Sequence, residues 1–132
     1  MDPARLKDLP LFAELDDAER AEVAACARER NVEAGTTLAT EGGHAYELFV
    51  IESGEAEVRK GGEVIRSLGP GDAFGEIGLL ATGTRTASIV ATTPMQLVAI
   101  FSREFKQLEA RMPQITEELR ASMRERVART SF

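Results

Sequence analysis

The sequence predicts a mostly β domain with flanking α-helices, and three observations predict it. Short apolar runs punctuated by glycines fill residues 31–101, and many short strands with Gly-rich turns suggest a sandwich, roll or barrel. Residues 1–30 and 102–129 instead space their apolar side chains as helices do. No internal repeat, low-complexity tract or linker divides the chain, so residues 1–132 read as one domain around one core.

The elements follow in order. Leu6, Leu9, Leu11 and Phe12 lie around Pro10, which predicts a short broken turn. Asp16 stands three residues before Glu19, close to a capping box, and opens a helix expected over residues 17–29. Leu15, Val23, Cys26 and Ala27 form its apolar stripe. Ala34-Gly35 ends one short run, and Leu38 to Glu41 forms another before Gly42-Gly43. An apolar strand centred on Leu48-Phe49-Val50-Ile51 closes at Ser53-Gly54. Ala56 and Val58 alternate with Glu55, Glu57 and Arg59, the pattern of a half-buried strand. Gly61-Gly62 predicts a two-residue hairpin, because a tight primed turn needs positive φ. Val64, Ile65 and Leu68 continue beyond it to a turn at Gly69-Pro70-Gly71-Asp72. Strands are expected at 87–91 and 95–101, either side of Thr93-Pro94. Ser102 is expected to cap a helix carrying Phe105, Leu108 and Met112. Pro113 suits the first turn of a second C-terminal helix, on which Ile115, Leu119, Met123 and Val127 make one apolar stripe.

Composition excludes several function classes. Hydrophobic residues at 43% and charged residues at 29% make an ordinary globular balance rather than a disordered one. The net charge of -6 repels nucleic acid unless a basic face is set apart. Basic residues beyond Ser102 are interleaved with acids, which reads as a solvated helix face. His44 is the single histidine and Cys26 the single cysteine, so neither a nucleophile–base pair nor a metal cluster emerges. Neither an enzyme nor a metal site is expected. Gly42-Gly43-His44 lacks the ending of a P-loop. Residues 1–10 are too charged for a signal peptide. No run approaches the ~20 apolar residues of a membrane span. A cytoplasmic location is the expectation.

The stretch from Phe74 to Ala87 carries the chemistry. It lies between two strands and contains three glycines, Gly75, Gly78 and Gly83, each able to bring backbone close to a ligand. Ile77, Leu79 and Leu80 can pin a short helical turn, whose free N–H groups attract an anion. Arg85 adds a planar cation suited to phosphate, and Glu76 a carboxylate that can accept a hydrogen bond from a sugar hydroxyl. A Glu76–Arg85 ion pair would also account for those two residues alone.

The spacing resembles the phosphate-binding cassette of cyclic nucleotide-binding domains, as in the catabolite activator, protein kinase regulatory subunits and cyclic nucleotide-gated channels. Phe74, Gly75-Glu76, Ile77, Gly78, Leu79, a five-residue spacer and Arg85-Thr86-Ala87 follow the family pattern without a departure. Upstream, Gly42, Leu48 to Ile51 and Gly54 agree, while Gly43 and Ala39 depart from it at the outer turn and strand. The resemblance covers residues 6 to about 127. It implies an antiparallel β-roll or jelly-roll-like barrel over residues 31–101, with the cassette at 74–87, an N-terminal helical segment at 1–30 and two C-terminal helices at 102–129. It implies that Arg85 holds the cyclic phosphate together with the amides of Gly78 and Thr86 and the Thr86 hydroxyl. Glu76 and the Gly75 backbone would hold the ribose 2′-hydroxyl, and Ile77 and Ala87 belong to the same ligand-binding set. Val58, Ile65 and Leu68 would wall the base, although plain core membership explains all three as well. Arg120, Met123, Arg124 and Val127 are candidates for a lid over it.

The ligand implied is cAMP or cGMP, with cAMP favoured. Thr86 after the arginine permits cGMP, but that residue type serves cAMP binders too. The function expected is a receptor that signals by rearranging its C-terminal helices toward a protein partner or a second copy. The alternatives are a regulatory domain of a larger channel, kinase or transcription factor, and a nucleotide-independent interaction module. No recognition helix fits after Arg129, so nucleic acid is not expected as a partner of this chain.

Overall fold

A computed structural model describes residues 1–42, 47–74 and 87–129, with residues 122–129 described as helix backbone. The chain runs through two 3-10 turns (Pro3–Leu6 and Pro10–Phe12) and helix α1 (Asp17–Cys26). Eight strands follow: β1 (Arg28–Val32), β2 (Thr37–Ala39), β3 (Glu47–Ser53), β4 (Ala56–Lys60), β5 (Glu63–Leu68), β6 (Ala73–Phe74), β7 (Ser88–Ala91) and β8 (Met95–Phe101). Helices α2 (Ser102–Arg111) and α3 (Pro113–Arg129) end the described chain.

The strands form two four-stranded antiparallel sheets. Sheet A has the order β1-β8-β3-β6 and sheet B the order β2-β7-β4-β5. The sheets face one another without closing into a barrel, which makes the expected β-roll an open one. The apolar runs explain the layering. Side chains alternate across a strand, yet Leu48, Phe49, Val50 and Ile51 are all buried, so both faces of β3 are covered. Leu48 and Val50, with Val98 and Ile100 of β8, pack against the helices. Phe49 and Ile51, with Leu97 and Ala99, pack against sheet B. Sheet A is thus the middle of three layers.

The helical layer is tied down at its start. The Asp16 carboxylate accepts from the Glu19 amide at 2.8 Å and the Glu19 carboxylate from the Asp16 amide at 3.0 Å, completing the expected capping box. Arg20 is buried and donates to the carbonyls of Phe12 and Leu15 and to the Asp17 carboxylate. It therefore supplies a donor to the Leu15 carbonyl and a second one to the Phe12 carbonyl, which also accepts the Leu15 amide. Arg5 of the first 3-10 turn pairs with Glu29 of β1 and Glu52 of β3, which pins that turn to sheet A.

Two boundaries differ from the sequence reading. The helix expected over 17–29 stops at Cys26, because Ala27 is extended at φ -93° and ψ 154°. Arg28 and Glu29 then pair with Ala99 and Val98, so the β region begins before residue 31. Ser102 does not cap α2 through its side chain. Phe101 is the N-cap, without a side-chain bond, and Ser102 is the first helical residue. The hairpin at Gly61-Gly62 is as expected, with φ of 59° and 82° and Lys60 paired with Glu63.

Candidate functional site

The segment from Phe74 to Ala87 leaves sheet A and returns to sheet B. At its upstream end, Phe49 and Val50 pair with Phe74 and Ala73. The rings of Phe49 and Phe74 stack with centroids 5.0 Å apart. The Ile51 amide donates to the Asp72 carbonyl and the Gly71 amide to the Ile51 carbonyl, each at 2.8 Å. The Asp72 carboxylate accepts from the Gly69 amide at 2.8 Å and closes the turn. Gly71 sits at φ 89°, where a side chain would be strained. At the downstream end Ala87 is buried in the same intersheet core that holds Phe74, and β7 enters the middle of sheet B. Gly75, Glu76, Ile77, Gly78, Arg85 and Thr86 lie outside the described residues.

The start of β7 has its own fastening. On one side Ser88 pairs with Arg59 of β4. On the other, the ladder to β2 ends with Ala39 opposite Ile89. There the Ser88 hydroxyl accepts a hydrogen bond from the Glu41 amide at 2.8 Å. The Glu41 carboxylate in turn accepts from the Gly61 amide, in the β4–β5 turn, at 3.0 Å. Neither residue stands out in the sequence, because the contact joins positions 47 apart.

The proposed base wall falls on β4 and β5. Val58 and Leu68 are buried between the sheets. Ile65 is 47% exposed and its neighbour Val64 55%. The cause is local: the register slips between Val58 opposite Arg66 and Arg59 opposite Val64, which leaves Ile65 as the extra residue of a bulge. β5 is also the edge of sheet B. The ladder sets half-buried Arg66 opposite Val58, a cation beside the apolar positions expected to wall the base.

Of the proposed lid, Arg120 is described, and the side chains of Met123, Arg124 and Val127 lie outside the described set. Arg120 bonds the Glu109 carboxylate at 2.9 Å and its guanidinium lies 5.0 Å from the Phe105 ring centroid. α3 is thereby clasped to α2. Ile115 and Leu119 of the apolar stripe are buried in the helical layer with Leu11 and Phe12.

Among the described residues, Asp17 and Cys26 of α1 are shifted from their usual range. The hydrogen bond and charge of Arg20 hold Asp17 below the ordinary carboxylate range. Burial pushes the Cys26 thiol up, which makes it a poor nucleophile. Among the described residues no cluster of His, Cys, Asp and Glu could hold a metal ion. Among them, too, no helix is long and apolar enough to cross a membrane.

The model of the cyclic nucleotide-binding domain matches residues 29–111, from β1 to the end of α2. The chain belongs to the cyclic nucleotide-binding domain family. It is 37% identical over 105 residues to a cAMP-dependent protein kinase regulatory subunit of Yarrowia lipolytica, a match that covers 78% of this chain and 28% of the relative. It is 30% identical over 118 residues to a cyclic nucleotide-gated potassium channel of Rhizobium etli, covering 89% of this chain and 33% of the channel. The chain thus spans about a third or less of these relatives. Among solved structures, a putative cyclic nucleotide-binding protein from Geobacter metallireducens superposes with a TM-score of 0.88 over 100% of this chain and 99% of its own. Its 23% identity makes that a likeness of fold. The catabolite activator protein of Thermus thermophilus is 30% identical, with a TM-score of 0.78 over 92% of this chain and 60% of its own.

Proposed function

We propose that this chain is a cyclic nucleotide receptor domain, with cAMP preferred over cGMP, that acts by regulation and not by catalysis. The observation that carries the reading is the uninterrupted cassette, Gly75-Glu76 through Arg85-Thr86-Ala87, set between two firmly held ends. Phe74 fixes one end in sheet A and β7 the other in sheet B. A ring phosphate carries one negative charge. The Arg85 guanidinium neutralises it with parallel N–H donors. The Gly78 and Thr86 amides, with the Thr86 hydroxyl, donate to its remaining oxygens. The Glu76 carboxylate accepts from the ribose 2′-hydroxyl, which distinguishes a ribonucleotide. A purine laid along β5 would cover the exposed Ile65 next to the buried Val58 and Leu68, and removing that apolar surface from water adds to binding. The Yarrowia lipolytica relative is the regulatory subunit of a cAMP-dependent protein kinase, which supports the choice of base.

Signalling in this reading passes through the C-terminal helices. Nucleotide tightens the cassette, the cassette presses on α2, and α3 moves over the base or toward a protein partner or second copy. For Arg120 to serve as a lid it must first leave Glu109 and Phe105, so the two positions of α3 are mutually exclusive. Ligand shifts the balance only by its differential affinity for them. A second reading, a regulatory domain of a larger channel, kinase or transcription factor, is favoured by the small share of each relative that the chain spans. In either case nucleotide binding comes first.

Thermal unfolding with cAMP and with cGMP tests the reading. At one hundred times its dissociation constant the preferred nucleotide should stabilise the fold by about 2.7 kcal/mol. An identical melting midpoint with and without millimolar cAMP or cGMP would sink it, leaving a nucleotide-independent interaction module.

A further inference from the structure

We infer that Glu41 and Ser88 are positioning residues of the nucleotide site, strapping the strand that carries the chain out of the cassette; this rests on the cyclic nucleotide reading above. β7 lies between β2 and β4 in sheet B. Its first residue, Ser88, has a backbone partner on the β4 side only, because the β2 ladder stops one rung earlier at Ala39 opposite Ile89. The Ser88 hydroxyl supplies the missing rung by accepting the Glu41 amide at 2.8 Å. The Glu41 side chain then reaches the far side of β7, where its carboxylate takes the Gly61 amide at 3.0 Å. One residue therefore spans from the β2 side to the β4–β5 turn, across the start of β7. The acceptor is charged, which strengthens that bond.

Arg85 and Thr86 precede Ser88 by three and two residues. The upstream end of the cassette is fixed by the Phe49–Phe74 stack and a closed turn. Ala87 offers only a methyl group to the downstream end, so backbone placement there is shared between the Arg59 rung of β4 on one side and the strap on the other. A binding site needs its groups held to within about 0.5 Å, and a strand end free to fray does not meet that.

Calorimetric titration with cAMP, the melting midpoint without ligand, and amide exchange across Ser88–Val90 together test this on the whole chain. Ser88→Ala and Glu41→Ala should each weaken binding about fivefold, the equivalent of one ordinary net hydrogen bond. Their unliganded midpoints should stay within about 2 °C of the parent's, less than the shift a general loss of about 1 kcal/mol would produce, while the Ser88–Val90 amides exchange faster. The double variant should lose little more than either single one, since both cut one strap. Ser88→Thr and Glu41→Gln keep an acceptor oxygen and should restore affinity. Unchanged affinity in the alanine variants overturns the inference, as does a loss that simply tracks a lower midpoint. If the parent protein binds neither cAMP nor cGMP, the reading of the site fails separately. The exchange rates then judge the strap alone, and unaltered exchange overturns it.

Discussion

On its helix-facing side, sheet A buries Leu48, Val50, Val98 and Ile100 against Leu6, Leu11, Phe12, Val23, Phe105 and Leu108, large side chains from four separate segments. On its other side Phe49, Ile51, Leu97 and Ala99 meet a layer that mixes Leu38, Val58, Leu68 and Ile89 with Ala39, Ala56, Ala87 and Ala91. The first layer is thick and is cross-linked by Arg5, Arg20 and the capping box. The second mixes small and large side chains between the two sheets and holds both ends of the cassette, Phe74 and Ala87. The difference suggests two jobs: the helical layer anchors sheet A from outside, and the intersheet layer holds the two ends of the cassette.

Matched substitutions in the two layers test that division. Phe12→Ala and Phe74→Ala each remove a buried ring, and each should cost about 3–5 kcal/mol in chemical denaturation. Their effects on cAMP affinity should diverge. Measured well below the melting range, Phe12→Ala should stay within about twofold of the parent, while Phe74→Ala should fall by about tenfold or more, a difference of over 1.4 kcal/mol. Equal losses would erase the distinction between the layers. A smaller effect belongs to Arg20. Arg20→Ala leaves the Leu15 carbonyl without its side-chain donor, while the Phe12 carbonyl keeps the Leu15 amide; this should cost about 1–3 kcal/mol in stability and nothing in affinity. The smallest concerns acid. Asp17 is held below its usual range by Arg20, so its stabilising charge is present above the ordinary carboxylate range and disappears as pH falls through the folded value. Asp17→Asn should flatten the acid limb of the stability profile slightly and leave neutral pH almost untouched.

The same contrast explains what could be read from sequence. Features set by neighbours along the chain were legible: the Asp16–Glu19 box, the Gly61-Gly62 hairpin, and the four-residue apolar run of β3. β1 was partly missed, because an edge strand rich in charge (Arg28, Glu29, Arg30) carries no apolar alternation to announce it. Ala27 broke the helix early through a backbone change that no residue type signals. The bulge that exposes Ile65 depends on the register between β4 and β5, which periodicity alone does not fix. The Glu41–Ser88 contact is a product of topology, since only folding brings β2 beside β7. The cassette was legible for the opposite reason, as its residues stand within one short segment.

The central claim is that a guanidinium at position 85 recognises a cyclic phosphate. Titrating cAMP into the parent chain and into Arg85→Ala by calorimetry tests it most directly. The account predicts saturable one-to-one binding by the parent, and for the variant a loss of roughly 3–5 kcal/mol, enough to remove any measurable heat at micromolar nucleotide while the melting midpoint without ligand is kept. Parent-like binding by the folded variant would contradict it.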